Sequence, residues 1–175
     1  MIKNVLTICI IFCAAISSAA QNMDDVVKTI PDSIVPGLSH CDSVEVNTQS
    51  YIRARTSAVS SVEMKLLSRP DSSLVVAIVS TAEGPAADSS LRFYDLKWNC
   101  LPAESFYIVP KAADFLSKPA DMEEEEFRRI LKQADINLVR LRLFADSRDI
   151  EAEFTGVAYK EELAKLNIRK IKKTL

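Results

Sequence analysis

This chain of 175 residues offers few combinations of residues that could carry out catalysis. The only histidine, His40, directly precedes Cys41. Neighbouring side chains on an extended segment point in opposite directions, whereas a cysteine nucleophile needs an imidazole within hydrogen-bond reach. The adjacency is therefore a weak signature of catalysis. We identify no catalytic residue and lean towards a protein that is not an enzyme.

Two further kinds of site are excluded by composition. The three glycines are far apart, so they cannot build a Gly-rich phosphate loop. A single histidine excludes metal sites built on several histidines. The four glutamates at 123–126 would suit a cation, but carboxylates are also favoured at the start of a helix by its dipole. We favour the capped helix and expect no metal and no cofactor.

An aromatic pair offers the best candidate for binding. Residues 91–98 have the pattern of a strand, on which Tyr94 and Trp98 would share one face. If exposed, the two rings could stack on a sugar or anchor a protein partner. Large aromatic residues are more often buried in the core, which is the favoured alternative. Tyr94 and Trp98 are the only binding residues that the sequence predicts.

The N-terminus predicts the compartment. Lys3, an apolar stretch over 5–16 and the small residues Ser18-Ala19-Ala20 have the pattern of a signal peptide occupying residues 1–20. We expect a periplasmic or secreted protein with no membrane span after cleavage. The net charge of −2 gives no support for nucleic-acid binding, which calls for a basic surface.

Export also bears on the cysteines. Cleavage would leave Cys41 and Cys100 in an oxidising compartment, where a disulfide between them is possible. The alternative is two separate buried thiols, because free cysteine behaves as a small apolar residue. The sequence does not decide between these two states.

Hydrophobic periodicity predicts a single α+β domain over residues 21–175, with a mainly antiparallel sheet packed against a few short helices. An alternation of polar and apolar residues predicts half-buried strands from residue 44, among them Val62–Met64–Leu66 against Glu63 and Lys65, and a further strand over 106–109. Residues 74–79 are apolar on both faces and predict the central strand. Helices are expected near 23–30, 110–117 and 121–133, the last with Asp121 as its N-cap.

The C-terminal part predicts a hairpin. Val139, Leu141 and Leu143 alternate with arginines, and residues 150–154 alternate with glutamates. One register places Leu143 opposite Ile150 and also sets arginine opposite glutamate, so both faces agree on it. The basic stretch 168–175 predicts an edge strand, and a tail that binds polyanions is the alternative.

A resemblance to a known family rests on several of these stretches. Ser60-Ser61-Val62-Glu63-Met64, Ser80-Thr81-Ala82, Asp88-Ser89 and Phe93-Tyr94-Asp95 with Trp98, in that order, resemble a secreted, Bacteroidales-restricted family called domain of unknown function 3256. The resemblance implies an exported protein with one domain. That family has no assigned activity, so no functional residue is carried over.

These observations favour an exported protein of the periplasm or cell envelope that acts as a non-enzymatic binding or interaction module. Its partner would be an envelope protein or a glycan. The alternative is a hydrolase or glycan-binding protein acting on an extracellular saccharide or peptide. An acidic pair in a cleft near Tyr94 and Trp98 would favour the hydrolase.

Overall fold

The computed structural model describes residues 22–41 and 43–175, so the predicted signal peptide lies outside the described residues. Antiparallel strands dominate the described chain and three short α-helices accompany them, which confirms the α+β class. None of these helices is both long and apolar enough to cross a membrane.

Six strands form the larger sheet in chain order, and each neighbouring pair is antiparallel. They are β1 Ser43–Asn47, β2 Tyr51–Ser57, β3 Ser60–Ser68, β4 Leu74–Ala82, β5 Asp88–Asp95 and β6 Cys100–Leu101. Residues 75–79 of β4 are all buried. This confirms the prediction of a central strand that is covered on both faces.

The remaining elements surround this sheet. Helix α1, Met23–Thr29, comes before it. The elements after it are α2 Ala112–Phe115, β7 Leu116–Ser117, α3 Glu124–Leu131, β8 Val139–Leu143, β9 Asp149–Phe154, β10 Asn167–Ile168 and β11 Ile171–Thr174. Strands β11, β9 and β8 form a second sheet in that order, while β7 pairs with β10. Strand β11 confirms the predicted edge strand.

The two faces of the larger sheet carry separate cores. Even-numbered residues such as Ile52, Met64 and Ile78 pack against α1 and residues 31–41. We call α1 and residues 31–41 together the N-terminal layer. Odd-numbered residues such as Val79 and Phe93 pack against the later helices and the second sheet. The domain therefore has three layers, because the period of two in each strand gives the sheet two different faces.

Strand β8 is joined to the larger sheet by side chains rather than by a ladder. Its outward N–H groups donate to side chains of the larger sheet: Val139 to Asp88 Oδ1 at 3.3 Å, Leu141 to Ser89 Oγ at 3.0 Å and Leu143 to Glu63 Oε2 at 2.6 Å. These acceptors satisfy backbone donors that an edge strand would otherwise leave unpaired.

The predicted hairpin is confirmed residue by residue. Strands β8 and β9 pair in the register that sets Leu143 opposite Ile150 and Val139 opposite Phe154. One consequence differs from expectation. Arg140 lies opposite Glu153 but forms its ion pair with Glu83 of the larger sheet, at 2.6 Å.

Three local predictions are wrong. Residues 106–109 form no strand, because the N–H groups of Phe106 and Tyr107 bond back to the Ala103 carbonyl and close a turn. Asp121 is not the N-cap of α3, because a turn from Pro119 delays the helix to Glu124. Strand β3 is not half-buried.

The burial of β3 comes from its polar face. Glu63 and Lys65 are 5% and 6% exposed, although they alternate with apolar residues as solvent-facing side chains usually do. The second sheet covers them. Lys65 Nζ donates to the carbonyls of Phe144 and Ala145, at 2.9 and 2.7 Å. Burial of these two charged groups is therefore compensated by backbone partners.

Candidate functional site

A polar groove lies on the larger sheet where the N-terminal layer ends. Two adjoining cavities of about 450 and 310 Å³ share Pro36, Ser80 and Ser90. We define the polar groove by the residues of the sheet that line it: Thr56, Ser60, Ser61, Val62, Ile78, Ser80, Thr81, Ala82, Asp88, Ser90, Arg92 and Tyr94.

The groove arises from a change of residue type along one face of the sheet. Under the N-terminal layer, the even-numbered residues are apolar, as at Met64 and Ile78. Further along the same strands, Ser60, Ser80 and Ser90 appear on this face beside Val62 and Ala82, and Ser80 lies opposite Ser90 on neighbouring strands. Ser90 is exposed and Ser80 half-buried. The hydroxyl groups therefore face a space that the N-terminal layer does not fill.

Two charged side chains lie at this groove. Arg92 is exposed and, within the described chain, has no carboxylate at ion-pair distance. Of the described residues that line the groove, Asp88 is the one carboxylate, and one of its oxygens accepts the Val139 N–H. The groove thus offers hydroxyl groups, a guanidinium and one partly used carboxylate.

The predicted aromatic pair is placed at the end of the groove. Tyr94 lines it but is only 6% exposed, and its ring centroid lies 6.1 Å from that of Trp98. Trp98 is half-buried and packs against the core under the N-terminal layer. Neither ring is an exposed stacking surface.

The prediction that the strand continues to residue 98 is wrong. Strand β5 ends at Asp95, whose carboxylate accepts the N–H groups of Lys97 and Asn99 at 2.8 and 2.9 Å. These bonds hold the chain in a tight turn instead of a ladder. The turn gives Trp98 a φ of 66°, a left-handed conformation that usually selects glycine.

This backbone predicts an unusual order of stability among variants of Trp98. Alanine and glycine both remove the indole, but glycine also relieves a left-handed conformation that costs roughly 1–2 kcal/mol for an L-residue. We expect Trp98→Gly to be the more stable variant by about 0.5–1 kcal/mol in chemical unfolding, after the entropy lost by glycine. At Leu96, where φ is not positive, the alanine variant should be the more stable. The same order at both positions would contradict this account.

The cysteines lie on separate elements. Cys41 is half-buried at the end of the N-terminal layer, and Cys100 is exposed on β6. Both are free thiols, so the structure does not contain the disulfide that the sequence allowed. Of the two, only Cys41 packs against a core. His40, beside Cys41, is exposed.

Glu63 is buried, as catalytic carboxylates often are, but it does not lie at the polar groove. Burial raises the pKa of its carboxyl, and this outweighs the N–H of Leu143, which lowers it. Arg53 lies 4.0 Å away and also lowers the pKa. Glu63 faces the second sheet, not the polar groove, so we assign it to the joining of the two sheets.

Sequence reasoning missed most of the groove. Arg92 lies in the strand predicted over 91–98, whereas Ser80 and Ser90 lie just outside the predicted strands, and serine is too abundant a residue to carry a signal alone. A usable signal was the change from apolar to hydroxyl residues on one face of three neighbouring strands. Among the described residues, no group of three histidine, cysteine or acidic side chains is arranged to hold a metal ion.

The fold and the groove together define a three-layer α+β domain with an open polar surface on its larger sheet. The chain belongs to the family described as Protein of unknown function (DUF3256), whose model matches residues 42–174. This confirms the resemblance seen in the sequence. No curated protein matches the chain.

A solved structure is similar to this fold. It is the structure of a domain of an uncharacterized protein from Porphyromonas gingivalis W83, with 22% sequence identity and a TM-score of 0.73. The alignment covers 87% of this chain and 92% of that one. The similarity establishes the shared fold. Its source is consistent with the Bacteroidales restriction, which stays a prediction.

Proposed function

We propose that this chain is an exported binding module of the cell envelope, and that its polar groove holds a ligand rich in hydroxyl and amide groups, such as a segment of a glycan. The observation that carries this proposal is the row of hydroxyl side chains left open beside the N-terminal layer, with Ser80 opposite Ser90.

The chemistry of the groove suits such a ligand. Each serine hydroxyl both donates and accepts hydrogen bonds, and so does each hydroxyl of a sugar. Arg92 adds donors, and Asp88 keeps an acceptor oxygen beyond the one that receives the Val139 N–H. Apolar residues such as Val62 and Ile78 also line the groove, so hydrogen bonds to the ligand, some of them through water, would be joined by apolar contacts.

The groove supports binding better than hydrolysis. Glycosidases generally use two carboxyl groups, one on each side of the scissile bond. Asp88 is the single carboxylate among the described residues that line this groove, and it also holds the backbone of β8. The criterion for a hydrolase, an acidic pair beside Tyr94, is not met by the described residues.

Export is supported by the sequence of the first 20 residues, with its basic start, apolar stretch and small residues before Gln21. A periplasmic or secreted location would place the groove among the glycans of the envelope. We also propose that residues 21–175 form a single domain.

Direct titration tests the proposed ligand class. Soluble oligosaccharides with and without N-acetyl groups would be added to the purified protein and followed by isothermal titration calorimetry. We expect saturable binding of at least one of them. A panel that includes envelope-derived fragments and gives no heat of binding would contradict the proposal.

A further inference from the structure

A second groove lies in the third layer of the domain, away from the polar groove. It has a volume of about 740 Å³ and runs between the extended segment 108–111 and β11. We call it the basic groove, because Lys111, Arg169, Lys170, Lys172 and Lys173 line it and Asp114 is the one acidic residue in the described part of its lining.

The cations of this groove fall into two groups. Lys170 pairs with Glu151 and Glu153, and Lys172 pairs with Asp149, so these two lysines are already neutralised. In the described part of the chain, Lys111, Arg169 and Lys173 have no carboxylate at ion-pair distance.

The geometry of Arg169 leaves its charge available. Its guanidinium donates to the backbone carbonyl of Asp114 at 3.1 and 3.0 Å, which holds the side chain in place without neutralising it. The carboxylate of Asp114 accepts the N–H of Lys111 at 2.8 Å. The groove therefore keeps an excess of positive charge beside one partly occupied acid.

The basic groove also has apolar residues in its walls, and one wall is a strand at the edge of its sheet. Ile108 is 70% exposed and lines the groove with Val109 and Ile171. Strand β11 ends its sheet, and no described strand pairs with its outer edge. Free backbone groups, apolar contacts and unpaired cations thus lie along the same groove.

We propose that the basic groove binds an extended acidic segment of a partner protein, which adds alongside β11 and alternates acidic with apolar side chains. Backbone pairing supplies affinity in this mode of recognition, and side chains supply selectivity. The acidic side chains would meet Lys111, Arg169 and Lys173, and the apolar ones would meet Ile108 and Ile171. A small anion would need the cations alone and would leave the apolar wall unused.

The test uses a short synthetic peptide of alternating glutamate and valine, with a glutamine-for-glutamate version as its control. We expect the acidic peptide to bind, more weakly as salt is raised, and the glutamine version to bind poorly. Lys111→Gln combined with Lys173→Gln should weaken binding on the order of fivefold to tenfold. In the described chain neither side chain forms a hydrogen bond, and Lys173 Nζ lies 6.0 Å from the centroid of the Tyr107 ring, the outer limit of a cation–π contact. The melting temperature should therefore change little.

Matched controls separate this site from general charge effects. Lys97→Gln removes an exposed charge elsewhere and should leave binding of the peptide unchanged. Equal loss in this variant and in the double variant would overturn the proposal. So would absence of peptide binding, whether or not inorganic phosphate or phosphatidylglycerol vesicles bind in its place. Because the polar groove is not involved, failure here leaves the proposed glycan binding untouched.

Discussion

Replacing Glu63 by alanine is expected to lower the free energy of unfolding by about 2–3 kcal/mol. The reason is its place between the two sheets. The substitution leaves the Leu143 N–H, which donates to Glu63 at 2.6 Å, buried without an acceptor. It also removes the carboxylate beside Arg53. Urea unfolding followed by circular dichroism measures the change.

A matched control lies on the neighbouring edge of the sheet. Glu45 pairs with Arg53 at 2.9 Å and with Arg55 at 3.4 Å, but its side chain is 33% exposed. Exposed ion pairs contribute little, so Glu45→Ala should cost less than about 1 kcal/mol. Equal losses in the two variants would show that the bond from Leu143 to Glu63 does not join the sheets.

The pH dependence of stability in the Glu63→Gln variant provides a second test of the role of Glu63. Burial raises the pKa of Glu63 above its ordinary 4.5, so the folded state holds its proton more tightly than the unfolded chain. Stability from this group is therefore lost as pH rises from about 4.5 through the raised pKa. Glutamine keeps an acceptor and cannot ionise. We expect its stability relative to wild type to improve over that interval, and a decline would contradict the assignment.

Blocking the polar groove should remove ligand binding. Ser90 is exposed in the middle of the groove, opposite Ser80, and tyrosine is well accommodated in strands. The ring of a Ser90→Tyr variant would occupy the space that the ligand needs. We expect the affinity for a glycan that binds the wild type to fall on the order of a hundredfold. Calorimetry under the conditions of the wild-type titration measures it.

The control for this variant is Ser117→Tyr. Ser117 is also an exposed serine on a strand, but it lies on β7 and lines neither groove. Both variants should unfold within about 0.5 kcal/mol of wild type. Retained binding in Ser90→Tyr, or an equal loss in Ser117→Tyr, would place the ligand elsewhere.

Sequence patterns predicted those parts of the fold in which local rules agree. The β8–β9 hairpin is confirmed because its apolar and charged faces demand the same register. The central strand β4 is confirmed because an apolar run on both faces can only be buried. In both cases the information lies within a few neighbouring residues.

The error at β3 arose because distant parts of the chain meet there. The alternation around Glu63 and Lys65 predicts a solvent-facing side, and only the arrival of residues 143–145 buries it. The error at Trp98 is local: the residue pattern of 91–98 predicts a strand, but the Asp95 carboxylate accepts the N–H groups of Lys97 and Asn99 and turns the chain. Predicting the polar groove would have required knowing the order of the strands in the sheet and where the N-terminal layer ends. The sequence of a single strand reveals neither.

The most direct test of the proposed function is a titration read residue by residue. Backbone amide signals of the ¹⁵N-labelled protein would be followed by NMR while a glycan that binds by calorimetry is added. Ligand binding in the polar groove predicts that the largest shifts occur at Ser80, Ser90 and Arg92, with little change along β11. Shifts concentrated outside the polar groove, or a titration that leaves these three signals in place, would contradict the assignment.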